Sequence, residues 1–203
     1  MNKTFIIVLV VLALVVLWFG STYVGHRNEM VRKKEAVNAL WSQVDVVLQR
    51  RADLIPNLVE TVKGYASQEQ TVYRDIANAR AALLGARDPQ QKIAANNQLD
   101  GAIGRLLLIV ENYPQLKSNQ NFMRLQDELA GTENRIAVER RRYNQAVQDY
   151  NTYIALFPNN LVASMSGFTR NDAYFKAEEG SRSAPRVQFP GAAPATPSPA
   201  PAR

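Results

Sequence analysis

VDVVLQRRADLIPNLVETV, residues 44–62, decides how many helices this chain has, because its apolar residues hold one helical register across a proline. Val44, Leu48, Arg51, Ile55, Leu58 and Val62 fall three or four positions apart, the spacing of one buried helix face. Read that way, the stretch is a single helix kinked at Pro56. A second reading ends one helix at Arg50-Arg51, whose cations suit a C-terminal end. It starts another at Asp53, an N-cap with Pro56 in the first turn. Length favours the second reading. A single rod over 29–85 would run about 85 Å beside a third helix of only about 37 Å and would leave much apolar surface unpartnered. A break near residue 52 is therefore expected, with the one-rod alternative still open.

Toward the amino terminus the stripe extends through Val37, Leu40, Trp41 and Val47, and then the chemistry changes. Thr4 to Val24 carries no charge over 21 consecutive positions. At 1.5 Å per residue that is roughly 30 Å, the thickness of bilayer hydrocarbon, so the segment reads as a membrane span. A cleaved signal peptide fits less well, since Trp18, Phe19 and Tyr23 stand where a cleavage site needs small residues, whereas aromatic rings suit the bilayer interface. With no cysteine in the chain, a lipoprotein anchor and a disulfide framework are both excluded. Arg27, Arg32, Lys33 and Lys34 outnumber Lys3 and the amino terminus across the span, which favours a cytoplasmic body of a single-pass protein in a bacterial inner membrane. The periplasmic or extracellular side stays open. The same four cations are candidates to grip anionic headgroups, at roughly 1 kcal/mol each.

Toward the carboxyl terminus two more helices are legible. One runs from Asp88-Pro89, a cap followed by proline at the first helical position, to Tyr113-Pro114, with Leu99, Ile103, Leu106 and Val110 on one side. The last starts near Ser118 or Asn119 and ends at Phe157-Pro158. Its residues Phe122, Leu125, Leu129, Thr132, Ile136, Glu139, Tyr143, Ala146, Tyr150 and Tyr153 alternate steps of three and four, a left-handed packing seam. Thr132 can return its hydroxyl to its own helix, while Glu139 on that seam needs a partner such as an arginine. Asn97 and Asn144, near apolar stripes, are candidates to fix register between helices. The expected fold is all-α: an antiparallel up-and-down four-helix bundle preceded by one N-terminal transmembrane helix. The expected organisation is an anchor over 1–26, a bundle over 29–157, an irregular aromatic-containing segment over 158–189 and a disordered Ala/Pro-rich tail over 190–203. In an up-down-up-down bundle, Pro158 and the aromatic segment return to the lipid surface.

Chemistry-bearing residues are few. The single histidine, His26, sits at the membrane boundary, so no Glu-x-x-His pair for a di-iron bundle exists, and no thiol, His-Glu-x-x-His or phosphate loop is present. No catalytic residue, metal or cofactor is expected. The net charge of +6 and Arg140-Arg141-Arg142 do not make a nucleic-acid surface: successive helical residues point about 100° apart, and Glu133, Glu139 and Asp149 are interspersed. The aromatic segment has two readings. Phe168, Tyr174, Phe175 and Phe189 either cover the open end of the chain's own bundle or form a hook for a neighbour.

Several runs resemble the LemA family: Trp41-Ser42-Gln43-Val44-Asp45, Gln49 through Val59, Val62-Lys63-Gly64-Tyr65, Glu111 through Lys117, Leu125 through Leu129, Thr132 through Ile136, Arg142-Tyr143-Asn144, Tyr150-Asn151, Phe157-Pro158 and Gly167-Phe168. The resemblance covers about residues 29–189. It implies a bacterial single-pass membrane protein with a helical-bundle body and brings no catalytic residues. It also makes Asp53 to Asn57 part of a family pattern, a fixed corner or a partner surface; with Glu139 and Asn144, Asp53 and Asn57 are the candidate structural polar residues. The favoured function is a membrane-tethered interaction or scaffold module. Its partner would be an unidentified membrane or envelope protein, or a second copy of itself, in a setting such as envelope stress or membrane-protein quality control. The alternative is a regulatory subunit or enzyme using carboxylate and amide side chains in a groove between helices.

Overall fold

The computed structural model describes residues 3–176; Phe189 and the Ala/Pro tail lie outside the described residues. Six helices follow one another: α1 (Lys3–Lys63), α2 (Gln70–Gly85), α3 (Pro89–Val110), α4 (Pro114–Lys117), α5 (Gln120–Ala155) and α6 (Asn159–Ser166), with no strand among the described residues. The four long ones, α1, α2, α3 and α5, make an antiparallel up-and-down bundle whose first helix is continuous with the apolar N-terminal segment.

The expected break near residue 52 is not there. α1 runs through Pro56 to Lys63, and Asp53 is an exposed mid-helix residue that accepts from Gln49 (3.0 Å) instead of capping a new helix. Proline has no N–H to give the carbonyl four residues back, which is that of Ala52. Arg80 of α2 supplies the missing donor, its Nε reaching the Ala52 oxygen at 2.8 Å. A rod of this length is not left unpartnered, because its main partner is α5 and not the shorter α3. α5, with 36 residues, runs about 54 Å and lies along the whole of α1 beyond the apolar segment.

The turn expected at 52 lies instead at Gly64–Glu69. Tyr73 reaches back from α2 to donate to the Ala66 carbonyl (2.6 Å), and Asn119, in the turn before α5, donates to the Tyr65 hydroxyl (2.9 Å). Both turns therefore meet at the end farthest from the apolar segment. Asp88 caps α3 by accepting from the Gln91 N–H (2.8 Å), and Asn119 caps α5 by accepting from Asn121 and Phe122 (2.9 and 3.1 Å).

α2 and α3 are short, with 16 and 22 residues. At the start of α3, Lys92 pairs with Asp45 of α1. In this distal half, Leu48, Ile55, Leu58 and Val62 of α1 pack against Ile76, Leu99, Leu106, Phe122 and Ile136. Nearer the apolar segment the hairpin ends, with Gln90 at the start of α3 lining a pocket with Lys34, Val37 and Asn38 of α1. There Val147, Tyr150 and Ile154 of α5, Val162 and Ala163 of α6 and the extended segment 167–176 complete the core. Gly167, in the left-handed region at φ 74°, ends α6 and turns the chain back outward.

Candidate functional site

Two polar constructions occupy the two halves. In the distal half, Arg51 is only 4% exposed although it sits in the apolar register of α1. Its guanidinium donates to the Asn96 Oδ1 (3.2 Å), pairs with Asp100, both on α3, and pairs with Glu133 on α5 (3.0 Å). Asn96 turns its amide onto Asp100 (2.9 Å), and Arg140 of α5 approaches the same carboxylate at 3.5 Å. An arginine fork is suited to this role, because it stays charged and can face two acceptors at once. A buried cation flanked by carboxylates from two other helices sets their axial register, since a slip of one turn would strand it. The node forms the floor of a groove of about 470 Å³, walled by Ile103, Leu107, Leu129 and Gln126.

In the half next to the apolar segment, two asparagines one heptad apart hold residues 167–176 as a strap. Asn151 accepts from the Asn171 N–H (2.8 Å) and donates to the Asn171 carbonyl (2.7 Å) and the Tyr174 hydroxyl (2.9 Å). Asn144 repeats the pattern on Phe175, accepting from its N–H (3.0 Å) and donating to its carbonyl (2.8 Å). Seven helical residues advance about 10 Å and four extended residues about 13 Å, so the two carboxamides meet strap positions 171 and 175 with little offset. Each amide satisfies a backbone donor and acceptor together, as a neighbouring strand would. Tyr150 adds a bond to the Thr169 carbonyl (2.9 Å).

The strap ends in an aromatic cluster. Phe175 stacks on Trp41 (centroids 6.2 Å apart) and meets Tyr143 edge-on (6.0 Å), while Arg140 lies over its ring at 4.9 Å. Arg140 thus touches both constructions. Burial pushes the Tyr143 phenol above its ordinary value, and does the same to Tyr150 and, with help from the nearby Glu69 and Tyr113, to Tyr73.

Of the residues singled out from sequence, Phe168, Tyr174 and Phe175 pack on the chain's own core. Asn144 holds the strap, and Glu139 pairs with Arg142 (3.0 Å), one turn along its own helix. Thr132 returns its hydroxyl to the Leu129 carbonyl (2.7 Å). Asn57 is exposed beside Leu54, Thr61 and Asn121 in a shallow groove, apart from both constructions. Arg27 and Lys34 are exposed, Arg32 pairs with Glu29, and Lys33 lies near Glu29 (3.8 Å) and over the Tyr153 ring (5.3 Å). Asn97 is exposed, and it is Asn96 that takes the buried position. Sequence reasoning missed Asn96, Asp100, Arg140, Asn151 and Arg80 as functional groups of the fold. The signals were available in part: Arg51 inside an apolar stripe demands carboxylates, and Asn151 follows Asn144 by seven. Among the described residues no three His, Asp or Glu side chains converge as a metal set.

On the opposite side of the α1/α5 pair, no strap runs among the described residues. A groove of about 670 Å³ opens there, with Ala36, Leu40, Val138 and Ala146 in it and Arg141, Arg142, Gln145 and Asp149 at its edges.

A leading helix long and apolar enough to cross a membrane, its most apolar stretch unburied by the body, continuous with a helical bundle closed by a strap, fits a membrane-anchored helical-bundle protein. Residues 40–189 match the model of the LemA family, and the chain belongs to that family. Protein LemA of Metamycoplasma hominis is 26% identical over 179 residues, covering 88% of this chain and 80% of the relative. Magnetosome protein MamQ 2 of Paramagnetospirillum magneticum is 28% identical over 194 residues, covering 83% and 71%. Magnetosome protein MamQ of Magnetospirillum gryphiswaldense is 26% identical over 188 residues, covering 80% and 69%.

Proposed function

We propose that this protein is a membrane-tethered interaction module that receives a helix of another membrane or envelope protein, or of a second copy, in the open α1/α5 groove. The observation that carries the reading is the asymmetry of the α1/α5 pair. One side is closed by the chain's own strap, whereas the other presents Leu40, Val138 and Ala146 to solvent in a groove edged by charges of both signs. An apolar floor with a polar rim is the form of a helix-receiving groove. The cations Arg27, Arg32, Lys33 and Lys34 support a cytoplasmic body beneath a bacterial inner membrane, and envelope stress handling or membrane-protein quality control is the setting we favour.

A photocrosslinking residue placed at Leu40 or Ala146 in intact membranes tests this directly, with Asn78 on the exposed side of α2 as control. Discrete adducts from the groove positions and none from Asn78 are expected, and an adduct of twice the chain mass would name a second copy as the occupant. Adducts of equal yield from all three positions, or none from the groove, would refute the assignment. One observation favours the alternative, a regulatory or enzymatic role: Asp100 and Glu133 stand at the floor of an accessible groove. Substrate turnover by purified protein, abolished in E133Q with unchanged unfolding, would move the assignment there.

A further inference from the structure

The strap begins at α6, and α6 has two unlike faces. Asn159, Val162 and Ala163 are buried against α1 and α5, while Leu161 and Met165, four residues apart, are 56% and 76% exposed. Leu156 and Phe157, in the turn just before, are 56% and 80% exposed. Outside the leading helix these are among the most exposed large apolar side chains in the described body, and they lie together. Their position along α1 is fixed by two contacts. The Tyr23 hydroxyl is 2.8 Å from Ser166 Oγ at the end of α6, and His26 Nδ1 is 3.2 Å from the Tyr153 hydroxyl. Tyr23 belongs to the uncharged Thr4–Val24 segment itself, so α6 stands at the level where that segment ends.

We propose that α6 and the Leu156-Phe157 turn form a second membrane contact, with Phe157, Leu161 and Met165 entering the lipid interface beside the anchor. This rests on the reading of Thr4–Val24 as a bilayer span. With Tyr23 near the edge of the hydrocarbon, residues 4–22 cover about 28 Å, and the apolar face of α6 meets lipid at about the 5–10 Å depth typical of interfacial helices. Arg27 and Lys34, exposed within about three turns of Tyr23, stand on the headgroup side. The body is then held at two points, so α1 cannot swivel freely about its axis.

The chain has no cysteine, so single cysteines can be labelled cleanly. The full chain in vesicles of mixed neutral and anionic lipid, carrying an environment-sensitive fluorophore at Phe157, Leu161 or Met165, is read by quenching from spin-labelled lipids. Controls sit at Trp18 in the leading helix and at Leu108, an exposed leucine of α3 (70%). Quenching at the three α6-region positions several-fold above that at Leu108 and approaching that at Trp18 is expected. Strong quenching at Trp18 with none at 157, 161 or 165 would overturn the α6 contact alone. No quenching at Trp18 would overturn the bilayer span and the α6 contact with it. A label at 161 shielded from water but not quenched by lipid would mean that protein, not bilayer, covers this face, and would equally overturn the proposal.

Discussion

The two halves of the body solve the same problem with different material. In both, the long α1/α5 pair must cover an apolar seam. Far from the apolar segment the α2/α3 hairpin does so, and a buried arginine with its carboxylates sets the register. Near that segment an extended strap does so, held by amide groups and one aromatic cluster. The distal half therefore depends on a charge network in a largely apolar interior, where losing one member is expensive. The other half depends on neutral hydrogen bonds to a ten-residue extended segment, where each loss is modest and local.

The largest effect should come from the distal node. R51A leaves Asp100 with Arg140 as its one cationic partner among the described residues, strips Glu133 of its pairing with Arg51, and should cost about 3–5 kcal/mol in denaturant unfolding of the detergent-solubilised protein. Replacing Arg51, Asp100 and Glu133 together with Met and Leu should recover most of that loss. A triple variant as unstable as R51A would show that the network itself, not the stranded charges, supplies the stability. Next is the strap. N151A removes its bonds to Asn171 and Tyr174 and should cost about 1–3 kcal/mol. Its mark should be local, with faster amide exchange in 167–176 and unchanged protection in α2 and α3. Uniform loss of protection would erase the distinction between the halves.

Smaller still is the bond across the proline. R80A should destabilise by about 1–2 kcal/mol when Pro56 is present and by much less in a P56A background, where residue 56 can donate to Ala52. Equal costs in both backgrounds would mean that Arg80 acts through some other contact. The mildest lever is alkaline pH. Tyr143 and Tyr150 are held by burial above the ordinary phenol value, so the unfolded chain gives up these protons first. Stability from them is whole below about pH 10 and declines as pH rises toward the folded values. Y143F should flatten part of that decline, and a slope unaffected by this change would show that other groups dominate it.

The fold was legible where periodicity was unbroken. The caps Asp88 and Asn119 and the seam of α5 from Phe122 to Tyr143 stand where spacing puts them, because a helix with one buried face writes its period into the chain. Beyond Tyr143 the expected Tyr150 stays buried, but Val147, Asn151 and Ile154 join it while Ala146 and Tyr153 are only half-buried, since α5 there faces the strap as well as α1. No local rule announces that change. The same limit explains Pro56. Its neighbours kept register, but the donor that satisfies the freed Ala52 carbonyl is Arg80, 24 positions later. The node was half legible. Arg51 in an apolar stripe called for partners, yet Asn96 and Asp100 lie on α3 of the α2/α3 hairpin, whose placement only packing decides.

The central claim is that one helix runs unbroken from the apolar segment through Pro56 to Lys63, so that the distal and strap halves are threaded on a single rod. Spin labels at Asn38 and Glu60, both exposed on α1, measure it. Pulsed electron-electron distances on the full chain in lipid should centre on about 33 Å, the rise of 22 helical residues. A chain that turned back near Asp53 would bring the two labels within about 15 Å, and that distance would contradict the account.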